Sequence, residues 1–129
     1  MSKPRVLFFD IETFPNKVYT WGIYEQNVIE VYQHWYTLSF AWKWLGEKQT
    51  YVKGLPDYKG YKKDTTNDKL LVQDLWKLFD EADVIVAHNG KSFDIKKSNA
   101  RFAKHGMQPP SPYKIIDTKI VAKSYFKFD

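Results

Sequence analysis

Two acidic side chains stand near the start of the chain, at the end of an apolar run. Residues 6–9 are apolar, Asp10 and Glu12 follow, and a Phe-Pro step at residues 14 and 15 ends the pattern. Successive side chains of a β-strand point to opposite faces, so the carboxylates of Asp10 and Glu12 project from the same face. Like charges side by side are costly unless a cation offsets them, and carboxylate oxygens suit Mg²⁺ or Mn²⁺. The spacing indicates a divalent metal site, or else two acids that run into solvent at a frayed strand end.

A third acid, Asp94, closes the segment Ala-His-Asn-Gly-Lys-Ser-Phe-Asp at residues 87–94. We expect it in the first turn of a helix that follows a strand parallel to the first. Ligand crevices of α/β sheets lie at the carboxyl ends of such strands, so Asp94 can reach the crevice that holds Asp10 and Glu12. The alternative is that Asp94 only complements the helix dipole and pairs with Lys97 one turn later.

The same segment contains three residues suited to a ligand contact. Gly90 permits a close approach of backbone to a ligand, and Asn89 offers both a donor and an acceptor. The ring of Phe93 can brace either a base or the core. The Gly-Lys-Ser string at residues 90–92 does not fit a nucleotide-binding P-loop, because the glycine required five residues earlier is Ile85 here.

The elements that must position these residues alternate between strand and helix patterns, which predicts an α/β fold with a mixed sheet flanked by helices. Strand patterns cover residues 6–13, 17–24, 36–45, 49–53, 83–87 and 114–116, and helix patterns cover residues 68–82, 92–105 and 118–126. The short connection after the first strand predicts that residues 17–24 pair with it in antiparallel. The helical crossover predicts that residues 83–87 run parallel to it. Asn67 and Ser92 are suited to cap the first two helices, and residues 54–67 read as an exposed loop.

The composition narrows the class of protein. A chain of 129 residues with 43% hydrophobic and 18% aromatic residues suits a single domain over residues 1–129 with one core. It contains no cysteine, which excludes disulfide frameworks and thiolate nucleophiles, and none of its three histidines forms a His-Glu-x-x-His zinc motif. No apolar run approaches the roughly 18 residues of a membrane span. We expect a soluble intracellular protein.

The formal net charge of +5 is concentrated toward the C-terminal end of the chain. Residues 91–127 contain nine lysines and arginines but only two acids, whereas residues 1–90 are close to neutral. A basic segment of this size favours an anionic polymer as partner, and nucleic acid is the commonest one. A run of basic residues on a helix can also be only a solvated face, so the charge alone leaves both interpretations open.

Together these motifs carry a family resemblance. Phe-Asp-Ile-Glu-Thr at residues 9–13, Ala-His-Asn-Gly-Lys-Ser-Phe-Asp at 87–94 and Ile-Asp-Thr at 116–118 occur in the order and context of the DEDD (DnaQ-like) 3′-5′ exonucleases. The chain resembles this superfamily, and most closely its phage and bacterial predicted exonucleases, over essentially its whole length. The resemblance implies an RNase H-like fold with three antiparallel strands and one or two parallel strands. It also implies that the substrate is a single-stranded 3′ end of nucleic acid, expected to be DNA, in the cytoplasm of a bacterium or a phage-infected host cell.

The resemblance further implies roles for named residues. Asp10, Glu12 and Asp94 correspond to three of the four catalytic acids that bind two Mg²⁺ or Mn²⁺ ions. The expected substrate-binding residues are Thr13, Asn89, Phe93, Lys97 and Arg101, with Asp117 as a supporting acid. The implied reaction is hydrolysis of a phosphodiester bond at a 3′ end, in which one ion activates a water and the other stabilises the departing 3′ oxygen.

The sequence departs from the superfamily at its C-terminal end. The third motif, a Tyr or His followed within a few residues by the fourth acid, lies beyond Tyr125 in the family, and this sequence stops at Asp129. We therefore expect a C-terminally incomplete domain, weakly active or inactive alone, that leaves Ile120, Val121 and Phe126 without cover. Self-association into a homo-oligomer, or a second polypeptide, would complete it. The alternative is a non-catalytic nucleic-acid-binding module that keeps the fold and the basic surface.

Overall fold

The computed structural model describes residues 3–23, 28–91 and 93–125, and it confirms an α/β fold with a mixed sheet flanked by helices. The strands are β1 (Val6–Phe14), β2 (Lys17–Tyr19), β3 (Glu30–Gln33), β4 (Tyr36–Trp44), β5 (Tyr51–Gly54), β6 (Val84–Ala87) and β7 (Lys114–Asp117). The helices are α1 (Lys69–Glu81), α2 (Asp94–Lys104) and α3 (Thr118–Tyr125). No helix within these ranges is both long enough and apolar enough to cross a membrane.

Strand β1 is the centre of the main sheet, whose strand order is β5-β4-β1-β6-β7. The neighbouring strand β4 pairs with β1 in antiparallel, whereas β6 pairs with it in parallel because helix α1 carries the chain back across the sheet. Strand β5 extends the antiparallel side and β7 extends the parallel side. The predicted RNase H-like sheet of three antiparallel and two parallel strands is therefore confirmed.

The core lies on one face of this sheet, and the alternation of β1 shows which face. Leu7, Phe9 and Ile11 are buried, whereas the intervening residues, including Asp10 and Glu12, are exposed. The buried face packs with apolar residues of β4, β6, α1 and α2, the largest of which include Phe40, Ile85, Leu75, Phe79 and Phe102. The opposite face of β1 therefore presents its two acids outside the hydrophobic core.

Residues 17–24 do not pair with β1, which corrects the prediction from the sequence. Strand β2 covers only Lys17–Tyr19 and pairs with β3 in a separate two-stranded sheet, and residue 24 lies outside the described residues. Strand β4 occupies one edge of β1 from Leu7 to Phe14, and β6 occupies the first part of the other edge. The Oδ1 of Asn16 accepts the backbone N–H of Trp35 at 2.5 Å, so the residue before β2 is hydrogen-bonded to the residue before β4.

The loop after β5 and the start of α1 differ from the sequence prediction. Leu55 begins a short 3₁₀ turn and is only 3% exposed, so residues 54–67 are not exposed throughout. The N-cap of α1 is Asp68 and not Asn67. The predicted cap of α2, Ser92, lies outside the described residues.

Helix α3 leaves apolar side chains in solvent, as expected. Ile120 and Val121 are 50% and 46% exposed within the part of the chain that the structure describes, and Phe126 lies outside it.

Candidate active site

The carboxyl end of β1 has an edge that the sheet leaves unpaired. Strand β6 ends at Ala87 and pairs with β1 only as far as Phe8, whereas β4 continues alongside β1 as far as Phe14. The backbone of β1 beyond Phe8 therefore needs another partner on the β6 side. The exposed carboxylates of Asp10 and Glu12 project from this same part of the strand.

Asp94, the first residue of α2, occupies this edge. Its side chain is 4% exposed, and its Oδ2 accepts the backbone N–H of Ile11 at 3.4 Å. The carboxyl group of Asp94 also lies close enough to that of Asp10 for Asp10 to raise its pKa. An acid at the first position of a helix is favoured by the partial positive charge of the helix N-terminus. The structure thus brings Asp10 and Asp94 together, although they are far apart in sequence.

The surroundings of Asp94 raise the pKa of its carboxyl group. Burial, followed by the hydrogen bond with Asp10 and its negative charge, raises the pKa of Asp94 to about 7 from an ordinary value of 3.8. The amide of Ile11 opposes the rise, and the charge of Glu12 adds a smaller contribution to it. Asp10 is exposed but Asp94 is buried, so the negative charge of Asp10 makes ionisation of Asp94 costly. A proton or a cation would lower this cost.

Of the two acids of β1, Glu12 contributes less than Asp10 to the pKa of Asp94. Within residues 3–23, 28–91 and 93–125, no three carboxylate or imidazole side chains are grouped closely enough to hold one metal ion. The donor set nevertheless fits a divalent ion, because its oxygen ligands are the kind that Mg²⁺ and Mn²⁺ prefer. Such an ion would also remove the conflict of like charges between Asp10 and Asp94.

Asp117 holds the turn that leads from β6 into α2. Its carboxylate accepts the backbone N–H groups of Asn89 at 2.8 Å, of Lys91 at 3.1 Å and of Lys119 at 3.0 Å. Burial alone raises the pKa of Asp117, but these amide donors outweigh it and hold the pKa below its ordinary value. Asp117 therefore supports the site through the backbone, and its oxygens are occupied by amide hydrogens.

Two residues of this turn have special backbone requirements. Asn89 adopts a positive φ of 56°, a conformation that asparagine tolerates better than most residues. A Cβ atom on Gly90 would collide with the Cβ of Ala87, so only glycine fits there without a shift of the backbone. The amide of Ile95 in turn donates to the carbonyl of Gly90 at 2.8 Å, which links the turn to the start of α2.

The other predicted substrate-binding residues surround the acids unequally. Thr13 follows a shift in the register of β1 and β4, because Glu12 pairs with Ser39 whereas Thr13 pairs with Thr37. Phe93 is 38% exposed and directly precedes Asp94. The Nζ of Lys97 lies 4.2 Å from the ring centre of Trp35 and 5.8 Å from that of Phe93. A cation and two aromatic rings therefore lie at the start of α2.

Arg101 has a different role from the one the sequence suggested. It is 5% exposed, and its Nε and Nη2 donate to the two carboxylate oxygens of Asp68 at 2.7 and 2.6 Å. Its Nη1 donates to the carbonyl oxygen of Trp35 at 3.1 Å. This arrangement corrects the expectation that Arg101 contacts substrate, because the three nitrogens of its guanidinium are used inside the protein.

The sequence analysis did not name several side chains that the fold brings close to Asp10. A cavity of about 610 Å³ is lined by Asp10 together with Phe8, Lys43, Val86, His88 and Thr118, among others. The imidazole Nδ1 of His88 lies 3.0 Å from the hydroxyl of Thr118. Lys43 reaches this cavity because β4 pairs it with Phe8, which lies two residues before Asp10. Only the pairing of β1 with β4 could have indicated Lys43, since nothing local in the sequence marks it.

Comparison with known proteins shows the family of the whole domain. The family model RNase_T, described as Exonuclease, matches residues 7–129. This chain belongs to the RNase T exonuclease family. The family lies within the DEDD superfamily, and membership supports a nuclease domain that acts on nucleic acid.

A solved structure shows the same fold as this exonuclease-family domain. The family B DNA polymerase from the hyperthermophilic archaeon Pyrobaculum calidifontis matches it with a TM-score of 0.57 and 19% sequence identity. The match covers 96% of this chain and 16% of the polymerase chain. No significant match to a curated protein was found.

Proposed function

We propose that this protein is a metal-dependent 3′-5′ exonuclease that removes nucleotides from the 3′ end of single-stranded DNA. The observation that carries the proposal is the hydrogen bond from the Ile11 amide of β1 to Asp94 of α2, which places Asp94 beside Asp10 in a member of an exonuclease family. A buried acid beside an exposed acid favours a cation that offsets both charges, and metal-assisted phosphodiester hydrolysis needs such a site.

Three acids would hold the divalent ions in this proposal. Asp10, Glu12 and Asp94 would supply their carboxylate oxygens as ligands. Bound Mg²⁺ or Mn²⁺ would supply a more acidic water and would offset negative charge at the phosphodiester and the departing 3′ oxygen. The chain itself supplies rigidity, because the Asp94 carboxylate is held by the Ile11 amide.

The residues around the acids would position the terminal nucleotide. Thr13 and Asn89 would contact it, Phe93 would stack on a base and Lys97 would face a phosphate. The ring of Phe93 is partly exposed and lies next to Asp94 in the chain, which supports a base position beside the acids. Asp117 holds the Asn89 amide, so it would keep this part of the turn in place for the substrate.

Hydrolysis of a single DNA strand that carries a fluorophore at its 5′ end tests the proposal. We expect Mg²⁺ or Mn²⁺ to produce a ladder of shortened labelled strands, whereas digestion from the 5′ end would release the label on a mononucleotide. Asp10→Ala and Asp94→Asn should abolish the ladder. Glu47→Gln, which removes an acid from the exposed turn after β4, should leave it unchanged. An RNA strand of the same sequence reports the choice of sugar, and equal activity in all four proteins would overturn the assignment of the site.

A non-catalytic nucleic-acid-binding module is the second candidate. It is favoured because the described residues contain no group of three carboxylate or imidazole side chains around one ion position. This candidate predicts that strands bind in a salt-sensitive manner, that Asp10→Ala binds them equally well and that no divalent ion produces shortening. The ladder assay and a binding assay on the same proteins therefore separate the two functions.

A further inference from the structure

The turn that joins β6 to α2 borders two cavities. His88, the first residue of this turn, and Ala87, the last residue of β6, line the cavity that contains Asp10. Its later residues, Asn89 and Lys91, line a second cavity of about 480 Å³. The two cavities are therefore neighbours, separated by a few residues of backbone.

Four lysines surround the second cavity. Lys91 and Lys96 come from the turn and the first part of α2, and Lys119 and Lys123 come from α3. Lys119 and Lys123 are four residues apart on a helix, so both side chains lie on the same side of α3. Positive charge from two helices thus converges on one concave surface.

The neighbouring acid forms no ion pair with these lysines in the described part of the chain. Asp117 also lines the cavity, but it is 6% exposed and its carboxylate accepts backbone amides. In the part of the chain that the structure describes, none of the four lysines forms an ion pair. Their charge is therefore available to an anionic ligand in solution.

We propose that this lysine cavity binds backbone phosphates of the nucleic-acid strand on the 5′ side of the bond to be cleaved. The proposal rests on the proposed function, since it places the rest of the strand next to a 3′ end held at Asp10 and Asp94. Lysine ammonium groups act as mobile point charges toward phosphate, so the contact is independent of base sequence and sensitive to salt. A strand too short to reach past the turn loses this contact.

Binding of a labelled single strand of about a dozen nucleotides, followed by fluorescence anisotropy in EDTA so that no hydrolysis occurs, tests the inference. The variant Lys119→Gln/Lys123→Gln should bind about 10- to 30-fold more weakly at about 0.1 M salt. The slope of log affinity against log salt should become less steep by about 1.4, because each phosphate contact on a single strand contributes about 0.7. The variant Lys119→Arg/Lys123→Arg should retain the wild-type slope, since it keeps both charges.

A matched control removes the same charge elsewhere. Lys62 and Lys63 are exposed in the segment that follows β5, the strand at the opposite edge of the sheet from β7. The variant Lys62→Gln/Lys63→Gln should change the slope by much less than the cavity variant. Equal changes in the two variants would show that only net charge matters, and an unchanged slope in the cavity variant would also overturn the inference.

The failure of this inference and the failure of the proposed function are distinguishable. If the wild-type protein shortens DNA but the cavity variant binds normally, the exonuclease proposal stands and the lysine cavity does not bind the strand. If no shortening occurs but binding depends on the cavity lysines, the phosphate site stands and the catalytic proposal fails.

Discussion

The guanidinium of Arg101 donates two hydrogen bonds to the carboxylate of Asp68, at 2.7 and 2.6 Å, and both side chains are buried. Asp68 is the N-cap of α1 and Arg101 lies in α2, about two helical turns beyond Asp94. Asp68 also accepts the backbone N–H of Thr37 in β4 at 2.8 Å and a contact from the His105 Nε2 at 2.7 Å. This cluster joins both helices to the strand beside β1, and so it helps to hold Asp94 against β1.

Removal of one partner of this ion pair should destabilise the fold strongly. Arg101→Gln leaves the Asp68 carboxylate buried without its cation, and we expect the free energy of unfolding to fall by about 3 to 5 kcal/mol. Urea denaturation followed by tryptophan fluorescence measures the change. Lys104→Gln, an exposed basic position on the same helix, should change it by no more than about 0.5 kcal/mol. Equal effects of the two substitutions would show that the pair contributes no more than a surface charge.

The same pair should make stability depend on pH in the acid range. Burial alone would raise the pKa of Asp68, but hydrogen bonds from Arg101, Thr37 and His105 lower it below its ordinary value of 3.8. Because the folded state has the lower pKa, the unfolded state takes up the proton first as the pH falls. The stabilisation is therefore complete above the ordinary value and is lost as the pH falls through the lower, folded pKa.

Asp68→Asn isolates this contribution. The difference in unfolding free energy between wild type and this variant should be largest near neutral pH and should shrink below about pH 4. Urea denaturation at a series of pH values measures it. A difference that stays constant down to about pH 2 would show that ionisation of Asp68 does not contribute.

Divalent ions should act on stability through the pair of Asp10 and Asp94. The folded pKa of Asp94, about 7, lies above its ordinary value of 3.8, so without a cation the folded state loses stability as the pH rises through this range. Asp94→Asn should therefore stabilise the metal-free protein at about pH 8 by roughly 1 to 3 kcal/mol. Mn²⁺ or Mg²⁺ should then raise the Tm of wild type and of Glu47→Gln, but not that of Asp94→Asn. Equal shifts in all three proteins would place ion binding elsewhere.

Gly90→Ala should disturb the turn that carries Asn89. The added methyl group collides with the Cβ of Ala87, so the turn has to shift away from the Asp117 carboxylate that holds it. Overpacking of this kind commonly costs about 1 to 3 kcal/mol. Ala87→Gly in the same chain removes the closest contact, and the double variant should recover part of the loss despite the added glycine. Thermal unfolding of the two single variants and the double variant measures this, and additive losses would exclude the collision as the cause.

Local patterns predicted the parts of the fold that depend on neighbouring residues. The apolar run of residues 6–9 with the two acids that follow it predicted β1 and the shared face of Asp10 and Glu12, and the structure confirms both. The apolar periodicity of residues 68–82 predicted α1, and the parallel pairing of β6 with β1 followed from that crossover. Strand and helix periodicity is a property of a few successive residues, so it is visible before the chain folds.

Tertiary structure decided what each polar group meets. Only the folded chain shows that the guanidinium of Arg101 is hydrogen-bonded to Asp68 and that β2 pairs with β3 and not with β1. Only the folded chain shows that Asp94 interacts more strongly with Asp10 than with Glu12. The sequence by itself determined the supply of acids at the ends of predicted strands and the basic character of its C-terminal part. Which charges pair, become buried or remain free depends on contacts between residues distant in sequence, because burial and neighbouring charge, and not residue type, set the energy of an ionised group.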